Sequence, residues 1–103
     1  MRETFGRRLR YARERIGCSQ RGLGVQMGLP PKKASVYINR WERQGKQPGW
    51  EAIGKMAEVL GVPPAFFLAD DDMLAEIILL AGKLAEDERK RLLDELRVRG
   101  PAS

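Results

Sequence analysis

The sequence has 103 residues, of which 32% are charged and 43% hydrophobic, and its formal net charge is +5 at pH 7. This length and composition predict one soluble globular domain with a short extension, and they exclude a disordered chain. One cysteine and no histidine exclude an internal disulfide, the usual zinc sites and His-based catalytic triads, so we expect no metal, no cofactor and no enzyme activity.

No part of the sequence suggests a membrane segment or an export signal. The longest apolar run, Met73 to Ala81, falls short of the roughly 18 residues that a span needs and contains Glu76. Residues 1–8 include basic side chains without an apolar run behind them, so we expect no secretory signal.

Charge is divided unevenly between the two halves of the chain. Residues 1–50 hold twelve Lys or Arg and three acidic residues, a net charge of +9, whereas residues 51–103 hold seven and eleven, a net charge of −4. A basic half joined to an acidic half indicates a polyanion-binding face on one side of the molecule and a different role for the other. Solubility would also explain basic helices, so charge alone leaves both interpretations open.

Gly and Pro divide the sequence into helix-length segments without sustained strand-type alternation, which predicts an all-α fold. The first helix is expected from about Thr4 to Ile16, with Thr4 as its N-cap and Gly17 at its end. Its apolar residues recur every three or four positions along one buried stripe. These residues are Phe5, Leu9, Ala12 and Ile16.

The next two predicted helices are short and follow each other closely. Ser19 is expected to cap a helix from Gln20 to Met27, and Gly28 suits the left-handed turn after it. A third helix is expected from about Lys32 to Arg43, after a proline pair that ends one helix and can begin the next. The inward residues of these two helices are predicted to be Leu23, Met27, Ala34, Ile38 and Trp41.

A loop over residues 45–49 leads to a fourth predicted helix that ends at Gly61. Its buried stripe is expected to comprise Trp50, Ile53, Ala57 and Leu60. Pro63 and Pro64 then begin a short fifth helix that covers the core. The covering side chains are predicted to be Phe66, Phe67 and Leu68.

The second and third predicted helices form a helix-turn-helix pattern. The first helix of such a pair crosses close over the second, so Gly24 leaves room where a larger side chain would clash. A rotation of about 100° per residue defines the side of the third helix that lies opposite Ile38. That side carries Lys32, Val36, Asn39 and Arg43, flanked by Lys33, Ser35 and Arg40.

These outward residues have the chemistry of a DNA major-groove reader. An asparagine amide bonds adenine bidentately, Arg or Lys bonds guanine, and a valine methyl packs on the methyl group of thymine. An exposed Val36 between basic residues is unusual for a merely solvated face. The pattern therefore favours sequence-specific binding of double-stranded DNA over an ordinary amphipathic helix with arbitrary outer residues.

The segment from Phe5 to Leu68 resembles the lambda-repressor/Cro family of helix-turn-helix regulators, often called the XRE family. The matching residues are Leu9-Arg10 and Arg13, then Ser19-Gln20, Leu23 and Gly28-Leu29, then Ile38-Asn39-Arg40-Trp41-Glu42, and then Gly45, Pro48, Ala57 and Leu60-Gly61-Val62. The resemblance implies a five-helix lambda-repressor-like DNA-binding domain with a C-terminal helical extension, in a cytoplasmic regulator of prokaryotic or phage origin.

The resemblance also implies roles for individual residues. Gln20 and neighbouring backbone N–H groups would contact phosphate, and Arg13 would form an ion pair with Glu42. From the residues alone, Arg13 and Glu42 are equally well two solvated charges. The full set of expected DNA-binding residues is Ser19, Gln20, Arg21, Lys32, Lys33, Ser35, Val36, Asn39, Arg40 and Arg43.

The chain departs from the family pattern between Gly28 and Trp41, where the residues 30–33 make it longer. Either the turn or the recognition helix must be extended, and the base-contacting positions would then shift by up to one helical turn from those expected.

Most other features are interpreted as structural. Trp41, Trp50 and Cys18 are assigned to the core. The acidic residues 70–72 are expected to cap the following helix rather than to bind a metal. The remaining basic residues of the first helix, Arg7, Arg8, Arg10 and Arg15, are expected to supply a general positive field.

The region from Met73 to residue 99, one helix or two meeting near Gly82, has too much apolar surface for a free tail. It either folds back on the domain or packs against a second subunit. We expect a symmetric dimer, since operators are usually palindromic. The expected dimer residues are Leu74, Ile77, Ile78, Leu92, Leu93 and Leu96.

Together these features predict a DNA-binding domain over residues 1–69, a dimerisation extension over 70–99 and a frayed tail over 100–103. The predicted function is sequence-specific binding of double-stranded DNA by a transcriptional regulator, a repressor on a palindromic operator. The alternative is a protein-interaction module, such as an antitoxin whose C-terminal helices bind a partner protein.

Overall fold

The computed structural model describes residues 2–100, and within them the protein is all α-helical, as predicted. Six α-helices and one 3-10 helix follow in the order α1 (Arg2–Arg15), α2 (Gln20–Gln26), α3 (Ala34–Arg43), α4 (Trp50–Leu60), the 3-10 helix (Pro64–Leu68), α5 (Asp72–Ala81) and α6 (Glu86–Arg99). Of the predicted frayed tail, only Gly100 lies within the described residues.

The first helix starts earlier than the sequence pattern predicts. Because α1 begins at Arg2, Thr4 lies inside the helix, and the prediction that it caps the helix is wrong. Its buried hydroxyl instead donates a hydrogen bond to Asp70 Oδ1 at 2.8 Å. Ile16, predicted to be buried, follows the helix end and is exposed, because Gly17 turns the chain at a φ of 68°.

The core lies between α1 and the helices that surround it. Phe5, Leu9 and Ala12 on α1 are buried as predicted, and Phe5 packs on Phe67 of the 3-10 helix with ring centroids 5.5 Å apart. Phe66 is also buried, so the prediction that this short helix covers the core is confirmed.

One large side chain assigned to the core lies outside it. Trp50 is 73% exposed, and the buried stripe of α4 begins one turn later, at Ile53. Trp50 is the first residue of the helix, where the apolar spacing still matches but the side chain lies beyond the packed turns. Gly61 ends α4 in the left-handed conformation, with a φ of 67°.

The crossing of α2 over α3 depends on a glycine, as predicted. A Cβ atom at Gly24 would lie 2.6 Å from Ala34 Cβ and 2.9 Å from Ala34 Cα. The turn between the two helices is longer than expected, because α3 begins at Ala34 and not at Lys32. Lys33 N donates to Pro30 O at 2.9 Å, so the additional residues extend the turn and not the helix.

The C-terminal region forms two helices of different character. Asp71 caps α5 by accepting hydrogen bonds from Met73 N and Leu74 N, and Ala75 and Leu79 on α5 are buried. In contrast, α6 has no buried residue. None of the helices within residues 2–100 has the length and apolar content to cross a membrane.

Arg8 joins α1 to the start of α5, which corrects its assignment to a general positive field. The residue is buried, and its guanidinium donates to Ala69 O from Nε at 3.0 Å and from Nη2 at 2.8 Å. Arg8 Nη1 also donates to Asp72 Oδ1 at 2.8 Å. These bonds, with the one from Thr4 to Asp70, hold the segment before α5 against α1, so Arg8 does not face solvent.

Candidate nucleic-acid interface

A buried ion pair fixes α3 against α1. Arg13 Nε donates to Glu42 Oε2 at 2.7 Å and Arg13 Nη2 donates to Glu42 Oε1 at 3.2 Å, while Arg13 Nη1 donates to Cys18 O at 2.9 Å. The side chains are 11% and 2% exposed. The hydrogen bond to Glu42 raises the pKa of Arg13, against the opposing effect of desolvation. A planar guanidinium bound on both carboxylate oxygens leaves α3 little freedom to rotate.

Gln20 extends this network from α2 to the outer side of α3. Its Nε2 donates to Glu42 Oε1 at 3.1 Å and to Asn39 Oδ1 at 3.3 Å. Both side-chain donors of Gln20 are therefore directed at protein atoms, which leaves its backbone N–H as the group for the expected phosphate contact. Ser19 Oγ is also engaged within the protein, since it accepts from Gly22 N at 2.9 Å as the N-cap of α2.

The outer side of α3 presents the polar and apolar groups that the sequence analysis assigned to it. Val36 is 51% exposed and Arg43 is exposed, while Ser35, Asn39 and Arg40 are half-buried. The structure therefore brings these five residues together on one helix.

The other expected DNA-binding residues surround this helix and do not belong to it. Lys32 and Lys33 are exposed in the extended turn that precedes α3, and Arg21 is exposed on α2. The cations of the turn lie next to the first turn of α3 along the chain, which broadens the positive surface around the helix.

Tyr37, which the sequence pattern does not single out, supports the candidate base-contacting residue Arg40. The Arg40 guanidinium carbon lies 5.9 Å from the centroid of the Tyr37 ring, and the Tyr37 and Trp41 rings are 6.1 Å apart. Aromatic residues four apart with a cation between them are the sequence signal for such a stack on a helix. The stack limits where the Arg40 side chain can point.

No group of acidic or cysteine side chains among the described residues is placed to hold a metal ion. The arrangement instead offers hydrogen-bond donors and one apolar surface on a helix 10 residues long, held from behind by a buried network. An α-helix fits the major groove of B-DNA, and the outer groups of α3 are of the kinds that contact base edges.

Comparisons with known proteins agree with this geometry. Residues 4–66 match the model of a family described as a helix-turn-helix domain. A solved structure described as the transcriptional regulator BswR is similar over 90% of this chain and 92% of its own, with 35% sequence identity and a TM-score of 0.84. A search of curated protein sequences found no match.

Proposed function

The chain belongs to the helix-turn-helix domain family of XRE-like DNA-binding transcriptional regulators, and we propose that it is a repressor that binds a palindromic operator as a homodimer. Such a repressor occludes a promoter from polymerase. The observation that carries the proposal is the outer side of α3, where exposed Val36 lies among polar and cationic groups while the inner side is fixed by the Arg13–Glu42 pair.

Affinity and selectivity are assigned to different residues. The net charge of +9 over residues 1–50 neutralises phosphates and releases counterions, which supplies most of the binding free energy for any sequence. Selectivity comes from α3, where Arg40 and Arg43 are candidates for guanine, Val36 for the thymine methyl and Asn39 for adenine. Asn39 Oδ1 accepts from Gln20 with one of its two lone pairs, so the other lone pair and Nδ2 of Asn39 remain for a bidentate contact with adenine.

The proposed division of labour places DNA binding in residues 1–69 and dimerisation in residues 70–99. Two recognition helices related by a two-fold axis would read half-sites separated by about 34 Å, one turn of B-DNA. The proposed dimer residues on α5 and α6 include Leu74, Ile77, Leu93 and Leu96, all of which are exposed in the single chain. An operator-binding repressor acts at the chromosome, in the cytoplasm of a prokaryotic cell.

In vitro selection of bound duplexes tests this proposal, since the selected sequences should show two inverted half-sites. Asn39→Ala should then lose about 1–3 kcal/mol of discrimination at particular base pairs. Arg21→Ala, which removes an exposed cation from α2, should weaken binding to all duplexes alike and reduce the salt dependence. Equal affinity of the wild-type protein for selected and scrambled duplexes would refute sequence-specific binding.

A second candidate function is supported by α6, which has exposed leucines and no buried residue. In that case the C-terminal helices bind a different protein and the helix-turn-helix domain serves as a scaffold. The dependence of DNA affinity on salt separates the two functions, because a scaffold would bind duplexes weakly at every ionic strength.

A further inference from the structure

The last helix lacks the packing that would stabilise it within a single chain. α6 has 14 residues and none of them is buried. Of its three leucines, Leu93 and Leu96 are 46% and 51% exposed and Leu92 is half-buried. An isolated helix of about 12–15 residues is only marginally stable in water, because its stability in proteins comes mainly from packing of an apolar side. α6 therefore needs a surface to cover its leucines.

The order of charged residues along α6 indicates which kind of partner covers its leucines. The helix has five acidic and five basic residues, so its net charge is zero and it does not suit a polyanion. A rotation of about 100° per residue places the leucines and Arg89 on one side and other charged residues along the two edges of that side. The edge residues at the two ends are Glu86 and Glu88 in the first turn and Arg97 and Arg99 in the last turn.

We propose that α6 pairs antiparallel with α6 of a second copy of this chain, about a two-fold axis near Leu92 and Leu93. In this orientation the acidic first turn of each helix lies beside the basic last turn of the other, so one surface complements itself, as two-fold symmetry requires. A parallel pair would place acidic turns together and basic turns together. The proposal rests on the proposed function and specifies the dimer that it requires.

The existing ion pairs on α6 do not prevent this arrangement. Arg97 lies 3.9 Å from Asp94 and Arg99 lies 3.7 Å from Glu95, and all four side chains are largely exposed. Exposed pairs of this kind contribute little to stability, so the arginines reorient toward a partner at small cost.

The pairing also involves α5, because α6 alone is too small for a stable interface. A helix of 14 residues is about 21 Å long, whereas a standard interface buries about 800 Å² on each partner. α5 carries a further set of exposed apolar side chains on the side opposite its buried residues. They are Met73, Leu74, Ile77 and Leu80. A second copy that covers α6 and part of α5 supplies the missing area.

Charge reversal in the full-length protein tests the orientation, with the dimer dissociation constant measured by sedimentation equilibrium. Glu86→Arg with Glu88→Arg makes both ends of α6 basic, and Arg97→Glu with Arg99→Glu makes both ends acidic. Each double variant should weaken its own dimer by about a hundredfold, and an equal mixture of the two should restore dimers at near wild-type affinity. A variant that merely fails to fold would not be restored by mixing.

Asp87→Arg with Asp94→Arg is the matched control, because it changes the charge equally on the opposite side of α6 and should leave the dimer intact. A monomeric wild-type protein, unchanged dissociation constants in both edge variants, or a mixture that stays monomeric would each overturn the antiparallel pairing.

Anisotropy with a labelled single half-site duplex is measured in parallel. Binding by the monomeric edge variants shows that DNA recognition is intact, whereas a wild-type dimer that binds no duplex would refute the proposed function alone.

Discussion

At the scale of single residues, the network around Glu42 holds the recognition helix in place. Its carboxylate accepts two hydrogen bonds from Arg13 and one from Gln20, and it is almost completely buried. A buried carboxylate that loses its cation is left without compensation for its lost hydration. Removal of one partner of this pair should therefore destabilise the protein strongly, although the intact pair adds little net stability.

Arg13→Met should therefore lower the free energy of unfolding by about 3 kcal/mol, as measured by urea denaturation. Arg10→Met is the matched control on the same helix, because the pair of Arg10 with Glu14 is exposed and should contribute less than about 0.5 kcal/mol. Similar losses in the two variants would show that burial of the Glu42 carboxylate is not what makes the first pair important.

The stack of Arg40 on Tyr37 allows a second prediction at this scale. Tyr37→Leu removes the aromatic surface under the guanidinium, and a cation–π contact at a partly exposed site contributes about 0.5–1 kcal/mol. Discrimination at the base pair that we propose Arg40 contacts should fall about threefold in competition binding with single-substituted duplexes. Tyr37→Phe keeps the ring and should retain the discrimination. Equal loss in both variants would assign the effect to the hydroxyl group.

Much of the residue-level picture follows from sequence, with informative exceptions. The apolar stripe of α1 and the pairing of Arg13 with Glu42 were expected, the first from periodicity and the second from family resemblance. Thr4 and Arg8 were misassigned because their partners, Asp70 and Ala69, are more than sixty positions away along the chain. A pattern of local spacing has no information about contacts at that distance.

At the scale of elements, the close crossings of helices depend on glycines, which have no side chain at the point of contact. Gly24 lies against Ala34 where α2 crosses α3, and a Cβ at Gly6 would lie close to the backbone carbonyl of Glu42 where α1 crosses α3. The first crossing was predicted from the helix-turn-helix pattern. The second was not, because a glycine within a helical stripe gives no sign of what lies opposite it.

Gly24→Ala should lower the free energy of unfolding by about 2 kcal/mol, since the added methyl group overpacks a crossing that has no space for it. Gly54→Ala is the control, because a Cβ there would meet no atom within 4 Å in the interior of α4. That change should stabilise the protein by about 0.5–1 kcal/mol through helix propensity. Thermal unfolding of the two variants should therefore shift in opposite directions, and a shift in the same direction would contradict the packing explanation.

The helix boundaries show which elements the sequence specifies well. Glycine or capping residues mark the ends of α1, α2 and α4, and these boundaries were close to those observed. The start of α3 was placed two residues early, because the pattern between Gly28 and Trp41 fits a longer helix as well as a longer turn. Hydrogen bonding of Lys33 N to Pro30 O favours the turn.

At the scale of the whole molecule, ion pairs connect α1 to the start of α5. Asp72, at the start of α5, accepts a hydrogen bond from Arg8 and lies 3.6 Å from Arg7 Nη2. The hydrogen bond from Arg8 and then the charge of Arg7 lower the pKa of Asp72 below its ordinary value of 3.8.

A carboxylate with a lowered pKa stabilises the folded state above the ordinary pKa, and this contribution is lost as the pH falls through the lowered value. Asp72→Asn should therefore be less stable than the wild-type protein at pH 7, and the difference should shrink as the pH falls below 3.8. Urea denaturation of both proteins across this range measures the effect. A difference that stays constant with pH would show that the charge of Asp72 is not involved.

The bonds of Arg8 have a mechanical consequence. α3 packs against α1 at Gly6, and Arg8 on α1 donates to the carbonyl of Ala69 just before α5, so these contacts hold α5 in a fixed position relative to α3. In a dimer of two such subunits joined through α5 and α6, the two recognition helices would lie at a fixed distance from each other. One base pair added to the spacer moves the second half-site along the duplex and rotates it about the axis. A rigid dimer of this kind should bind the altered operator more weakly, because it cannot adjust the distance between its recognition helices.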